Sequence, residues 1–311
     1  MFEDNVLKPR CRNLSGVSLI VVNYNGGEYL NDCIGSAIPQ VDELIVVDNG
    51  SSDSSPDQLE AAFSGSKKLK IIRNSENLGF SAACNIGIDR AEGDYLLFLN
   101  PDCVLEPHSV QRMVRVLESA DDAGMAGGLL VGTDGLEQGG GRRAVPTPWR
   151  SFVRVSGLSR FSDRWPRLFF DFYLHKQPLP SHPIEVEAIS GACMLVRSSV
   201  VRDVGKWDEG YFLHCEDLDF SMRLRRKGWK ILFVPDARIV HHKGGCSRCR
   251  PIFVEWHKHL GMIRFYRKFF RNQYPGVLMW LVVVGVWLRF VGIAAYHTGH
   301  LLETKMGLAR E

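Results

Sequence analysis

Val17-Ser18-Leu19-Ile20-Val21-Val22-Asn23-Tyr24-Asn25-Gly26-Gly27 runs from a mostly apolar stretch straight into a polar, glycine-containing cluster. The branched residues of Val17 to Val22 read as a buried strand. The cluster after it is either an Asx-rich turn or a place where a ligand meets the backbone, because glycine allows close approach.

Working outward, three further runs repeat this design: Glu43 to Val47, Lys68 to Ile72 and Tyr95 to Leu99. Segments with helical periodicity lie between and after them, at Phe80 to Ala91 and Pro107 to Ala120. Strand and helix in alternation predict an α/β fold, a Rossmann-like and mostly parallel sheet with helices on both faces. Ligands of such sheets bind at the carboxyl ends of the strands. The residues just after each strand are therefore the candidates.

Asn23, Tyr24 and Asn25 end the first strand without forming a GxGxxG pattern, which argues against a dinucleotide site. The second strand ends in Val46-Val47-Asp48-Asn49-Gly50-Ser51-Ser52-Asp53. Asp48 is placed either to accept hydrogen bonds from a base or ribose or to hold a turn, and Asp53 to cap the next helix. The fourth ends in Leu99-Asn100-Pro101-Asp102-Cys103. Hard oxygen ligands there suit Mg2+ or Mn2+ bridging a diphosphate, and such a site needs a further ligand.

Downstream, Gly132 to Pro148 reads as a mobile loop, and Trp149 to Tyr173 mixes aromatic residues with arginine. Order returns at Glu185 to Val196. Then comes Trp207-Asp208-Glu209-Gly210-Tyr211-Phe212-Leu213-His214-Cys215-Glu216-Asp217-Leu218-Asp219, at the mouth of a helix from about Glu216 to Lys227. Asp219 can pair with Arg223 one turn on. Crowded carboxylates raise at least one pKa, which favours a general base; the structural alternative is ordinary helix N-terminal charge. Strands at Lys230 to Val234 and Ala237 to Val240 lead to His241 and His242, either of which could complete a metal site. Cys246 and Cys249 form one C-x-x-C with no second pair at zinc spacing.

The chain has 311 residues, 45% hydrophobic and 23% charged, so it can build a real core. A net charge of +3 gives no sign of a nucleic-acid partner. Most of the eight cysteines sit in apolar runs, as buried thiols of a reducing compartment do. Met1 to Asn13 has no apolar h-region, so the catalytic part is expected in the cytoplasm.

Residues 250–271 are basic, and on a helix Trp256, Leu260, Ile263 and Phe270 share a face. Val277 to Leu288 is uninterruptedly apolar, Arg289 follows, and a second apolar run reaches Tyr296. A central Arg costs a spanning helix about 2.5–3.5 kcal/mol. The expectation is a surface-lying or re-entrant helix, with a single span second. The domain division that follows is 1–250 for the α/β body and 251–311 for membrane-associating helices.

In order and spacing, these segments resemble the family 2 inverting glycosyltransferases, and among them the bacterial rhamnosyltransferase-like branch. The resemblance rests on VVNYN at Val21 to Asn25, VVDNGSSD at Val46 to Asp53, and Asn77-Leu78-Gly79-Phe80 through to Asn85. It continues with Asn100-Pro101-Asp102 in place of a D-x-D motif, Ser190-Gly191-Ala192-Cys193-Met194, Glu216-Asp217, and a late His. It implies a GT-A fold and inversion in a single displacement. Asp217 would take the proton of an acceptor hydroxyl, and Glu216 would orient the acceptor or the loop. Asn23, Tyr24, Asn25, Asp48, Asn77, Gly79, Asn85 and Asn100 would lie on the nucleotide-sugar side, and Gly191, Ala192 and Trp207 on the acceptor side. Asp102 with His241 or His242 would hold Mg2+ or Mn2+. The implied donor is a dTDP- or UDP-sugar, dTDP-L-rhamnose first. The implied acceptor is a lipid-linked bacterial glycan at the cytoplasmic face of the plasma membrane.

Two other classes compete. A nucleotidyltransferase would want a basic phosphate loop after the first strand, and Asn23 to Gly27 holds no Lys or Arg. A non-catalytic, membrane-bound sugar-nucleotide binder would lack a base, yet Glu216-Asp217 is intact.

Overall fold

The apolar run and the asparagine after it form β1 (Val17–Asn23), buried along its whole length. The structure, a computed structural model, describes residues 16–242, 244 and 250–305. Side chains alternate across a strand, and β1 follows this rule: Leu19 and Val21 enter one core cluster, Ile20 and Val22 the other. Both faces of the sheet are therefore covered.

On the first face lie α1 (Tyr29–Ala37) and, after β2 (Glu43–Asp48), α2 (Ser55–Ala62). On the second, following β3 (Leu69–Arg73), lies α3 (Phe80–Ile88). Next come β4 (Tyr95–Leu99), the short β5 (Cys103–Leu105) and α4 (Ser109–Glu118), which returns to the first face. The order β3-β2-β1-β4 is parallel throughout, as the alternation predicts. Each Val, Leu or Ile fully buried here contributes about 1.5–3 kcal/mol.

Beyond β4 the sheet becomes mixed. After β6 (Ala123–Val131), β7 (Arg142–Arg143) and α5 (Pro148–Val155) come the two-residue strands β8 (Ile184–Glu185) and β9 (Ala188–Ile189). Then β10 (Cys193–Arg197) inserts antiparallel between β4 and β6, with Met194 opposite Phe98. α6 (Ser198–Val204) and α7 (Glu216–Arg226) cover the second face. The two strands expected at 230–234 and 237–240 are one, β11 (Lys230–His241), parallel to β6 with a register shift between Val234 and Arg238. Pro235 sits at that irregularity, where a missing N–H is tolerated.

The stretch expected to be a mobile loop folds instead against the body. Arg142 is 2% exposed, and its guanidinium bonds Glu137 and the carbonyls of Gln177 and Pro178.

A third cluster joins α8 (Pro251–Phe270) and α9 (Gly276–Lys305) to α7. Ile263, Phe265, Tyr266, Phe269 and Phe270 of α8 are buried in it. At Gly261 a Cβ would stand 2.7 Å from the His214 carbonyl oxygen, so only glycine lets α8 seat on the loop before α7. Helix α9 runs unbroken through Arg289. Gly276–Gly299 is long and apolar enough to cross a membrane, with mean hydropathy 2.2 and only 11% of its most apolar window buried. Arg289 donates to His259 Nε2 at 3.1 Å, and His259 Nδ1 donates to the Glu255 carbonyl at 2.6 Å. The charge thus has a partner inside the helical hairpin. Met1 to Asn13, Lys243, Cys246 and Cys249 lie outside the described residues. Cys84, Cys103, Cys193 and Cys215 are buried thiols.

Candidate active site

The turn after β4 carries Asn100-Pro101-Asp102, and β5 then pairs with the end of β11, Cys103 opposite His241. This register places Asp102 Oδ1 3.4 Å from His241 Nε2. The other ring nitrogen, Nδ1, meets Gln138 Oε1 at 2.8 Å, while Gln138 Nε2 donates to the His241 carbonyl at 2.6 Å. An amide oxygen only accepts, so Nδ1 is the donor to Gln138, and Nε2 is the ring nitrogen turned toward Asp102. A carboxylate oxygen and an imidazole nitrogen so oriented fit a divalent cation, with further positions left for phosphate oxygens. Cys103 lies close to both. Its thiol is wholly buried and donates to the Ala192 carbonyl at 3.5 Å. His242 is turned away: its amide donates to the Asp102 carbonyl at 2.8 Å, and its ring centre lies 5.1 Å from that of Tyr29.

Two consecutive left-handed residues, His214 (φ 68°) and Cys215 (φ 69°), deliver the chain into α7. Non-glycine residues adopt this conformation at a cost, and such strain gathers at functional sites. Glu216 and Asp217 follow at once. Asp217 Oδ2 accepts from the Gly191 amide at 3.1 Å and from Arg143, and Oδ1 accepts from the Leu218 amide at 2.7 Å. Glu216 is buried and its Oε2 has no partner among the described residues. Burial, and then the neighbouring Asp217 charge, push its carboxyl up to about 8. Asp219 pairs with Arg223 at 2.7 Å, the structural role expected of it, and also with Lys268 at 2.6 Å. Burial works to raise the Asp208 carboxyl, but Lys268 and Arg264 outweigh it and hold the group down at about 2.

The two halves meet at Gly191 and Ala192. Gly191 holds Asp217, and the Ala192 carbonyl accepts from the Asn100 amide at 3.0 Å, two residues before Asp102.

The residues assigned to the nucleotide side form a bonded loop cluster. Asn23 is wholly buried; its Nδ2 donates to Asp48 Oδ1 at 2.8 Å, Ser51 Oγ at 3.1 Å and Ser55 Oγ at 3.0 Å. Tyr24 is half-buried, and Asn25, left-handed at φ 54°, receives the Ser52 amide at 2.7 Å. Asp53 accepts from the Ser55 amide of the first turn of α2 at 3.2 Å. Asn77 Oδ1 receives the Gly79 amide at 3.0 Å. Gly79, at φ 88°, lies so near Phe212 that a Cβ would meet its carbonyl oxygen at 2.8 Å. Asn85 bonds both backbone groups of Trp207 at 3.0 Å and Glu209 Oε1 at 2.8 Å. Gly79 and Asn85 therefore buttress the acidic segment. Trp207, expected on the acceptor side, is 3% exposed and stacks on Phe220 at 4.8 Å, so it supports that side from within the core.

Sequence reasoning does not single out Gln138 and Arg143. The one signal there is a polar residue and an Arg doublet flanking three glycines, in Gln138-Gly139-Gly140-Gly141-Arg142-Arg143.

The family model described as glycosyl transferase family 2 matches residues 18–205. The chain belongs to this family. As a family 2 glycosyltransferase it is 29% identical over 239 residues to the N-acetylglucosaminyl-diphospho-decaprenol L-rhamnosyltransferase of Mycobacterium tuberculosis, covering 72% of this chain and 75% of that one. Among solved structures it is similar to GalNAc-T7 with UDP, GalNAc and Mn2+ (TM-score 0.57, 16% identity, 83% of this chain and 54% of that one). It is also similar to the mannosyltransferase PcManGT of Pyrobaculum calidifontis with GDP-Man and Mn2+ (TM-score 0.56, 15% identity, 95% and 80%). The fold is GT-A, its mixed sheet covered by helices and followed by an apolar C-terminal helix.

Proposed function

We propose that this glycosyltransferase transfers L-rhamnose from dTDP-L-rhamnose, with inversion, to a hydroxyl of a lipid-linked glycan at the cytoplasmic face of the plasma membrane. The observation that carries the reading is the Gly191-Ala192 bridge. It ties the Asp217 carboxylate to the Asn100 turn that bears Asp102, so that a base and an anion-stabilising site share one strand end. The name of the Mycobacterium tuberculosis relative supports the sugar and the lipid-linked acceptor.

Asp217 takes the acceptor proton as the hydroxyl attacks the anomeric carbon from the face opposite the diphosphate. Its bonds to the Gly191 and Leu218 amides orient it, and the Arg143 guanidinium shares the oxygen that the Gly191 amide meets. Glu216, protonated near neutral pH, offers a donor to the acceptor. Asp48, Asn23 and Asn25 hold the loops that receive the nucleotide, with Tyr24, Asn77, Gly79 and Asn85 in supporting places and Asn100 beside the diphosphate. Asp102 and His241 would hold Mg2+ or Mn2+, which would neutralise charge on the departing diphosphate. An imidazole among the ligands suits Mn2+ better than the harder Mg2+. Helices α8 and α9 attach the enzyme to the membrane, with Gly276–Gly299 as the apolar element.

Turnover with dTDP-, UDP- and GDP-sugars, with the anomeric configuration of the product read by NMR, tests this. Inverted product from dTDP-L-rhamnose is expected. Retention, or exclusive use of another donor, overturns the corresponding part.

A further inference from the structure

Residues 148–170 have no part in the site described, yet they expose an unusual set of side chains. Trp149, Phe152, Val155, Trp165 and Leu168 are each 45% to 69% exposed. They are interleaved with five arginines, Arg150, Arg154, Arg160, Arg164 and Arg167, and one carboxylate, Asp163. Arg150 and Arg154 are paired with Glu187 and Asp171. Among the described residues, Arg160, Arg164 and Arg167 pair with no carboxylate. Large apolar side chains clustered on a surface mark an interaction site.

The segment is held rather than loose. Trp149 Nε1 donates to the Leu168 carbonyl at 2.8 Å, the Ala144 amide to the Phe172 carbonyl at 2.8 Å, and Tyr266 of α8 to Ser151 Oγ at 2.7 Å. Trp149, Phe152 and Trp165 stay largely exposed although the segment is tied down. It is also continuous with the helical hairpin. Trp149, Arg150 and Leu168 share a cleft of about 400 Å³ with Tyr274, which lies between α8 and α9.

We propose that residues 149–168 are a second membrane-contact surface, laid on anionic phospholipid beside α9. Tryptophan and phenylalanine suit the headgroup boundary, and unpaired arginine is drawn to an anionic leaflet. The functional consequence follows from chain length. Thr147, on the cleft, is four residues from Arg143, so at most about 14 Å of backbone separates this surface from the partner of Asp217. The proposal goes beyond the function above and needs neither its donor nor its acceptor.

The test is hydrogen exchange of the full chain in nanodiscs, comparing phosphatidylcholine alone with phosphatidylcholine containing phosphatidylglycerol. Amides of residues 156–170 should exchange more slowly, on the order of tenfold, in the anionic discs. An Arg160→Ser/Arg164→Ser/Arg167→Ser variant should lose that difference while α9 stays protected and turnover of a detergent-soluble acceptor is unchanged. Equal exchange in both discs overturns the proposal. So does protection that rises with protein concentration in the absence of lipid, which would make this a self-association face. An enzyme inactive with every donor would sink the transferase reading and leave these exchange results standing.

Discussion

Arg143, at the end of β7, donates to the same Asp217 oxygen that receives the Gly191 amide. One carboxylate thus joins β7 to the turn that leads into β10. Its remaining freedom is small, which suits a base that must meet one hydroxyl. Asp217→Asn preserves shape and removes basicity. The expected fall in kcat is about 10²- to 10⁴-fold, with donor affinity by calorimetry nearly unchanged. Arg143→Gln should lower kcat as well, without altering the donor Kd. If Asp217→Asn stays active and Glu216→Gln is dead, the two roles are reversed.

Glu216 makes stability depend on pH in a definite sense. Its folded value of about 8 lies above the ordinary 4.5, so the native state keeps a proton that the unfolded state loses. The resulting stability is complete below 4.5 and is lost as pH rises through about 8. Glu216→Gln should therefore flatten the decline of Tm across that window. Thermal denaturation at a series of pH values reads this directly; parallel curves for the two proteins would refute the burial argument.

The metal reading gives a prediction on each side of His241. Asp102→Ala and EDTA should each abolish most turnover. Gln138→Ala frees the imidazole that Gln138 holds at Nδ1 and at the carbonyl. Losing a bond that orients a metal-ligating imidazole weakens metal affinity about 10- to 100-fold. Mn2+ titration by electron paramagnetic resonance, with nucleoside diphosphate present, should show that loss at unchanged Tm. Full turnover in EDTA after removal of bound metal would end the metal hypothesis.

Asp48 accepts from Asn23 and, at 2.6 Å, from Ser51 Oγ. Asp48→Ala releases both and should raise donor KM sharply while kcat changes less. Calorimetry showing unaltered donor affinity would remove Asp48 from the nucleotide side.

A truncation before Gly276 removes the apolar helix and keeps α8. On vesicles of phosphatidylcholine alone, where the 149–168 surface meets no anionic lipid, it should shift the protein from vesicle-bound to soluble in a sedimentation assay. Cutting before Pro251 instead strips Phe265, Tyr266, Phe269 and Phe270 from the third cluster, so that chain should fail to fold. Undiminished sedimentation of the shorter cut would show that α9 is not the anchor.

What is legible in the sequence follows local rules. Branched runs place β1, β2 and β4 to within a residue or so, and the polar turns after them point to the sheet edge. Asp219 with Arg223 is readable because one helical turn separates them. Gln138 is not, since its partner His241 lies 103 residues away and no periodicity links them. Pro235 suggests a break in β11, but the register shift there absorbs it. Trp207 lies among polar residues in sequence, and only the fold shows it stacked on Phe220.

The contact at Gly261 has a consequence for acceptor choice. Because α8 rests on the His214 carbonyl, the hairpin cannot shift without moving the residues that lead into Glu216 and Asp217. If α9 lies in the bilayer and Asp217 is the base, as proposed above, the height of that carboxylate above the lipid is set by the protein, like the mark on a ruler. Acceptors whose free hydroxyl stands at that height are expected to react, and those built one sugar longer or shorter to react more slowly.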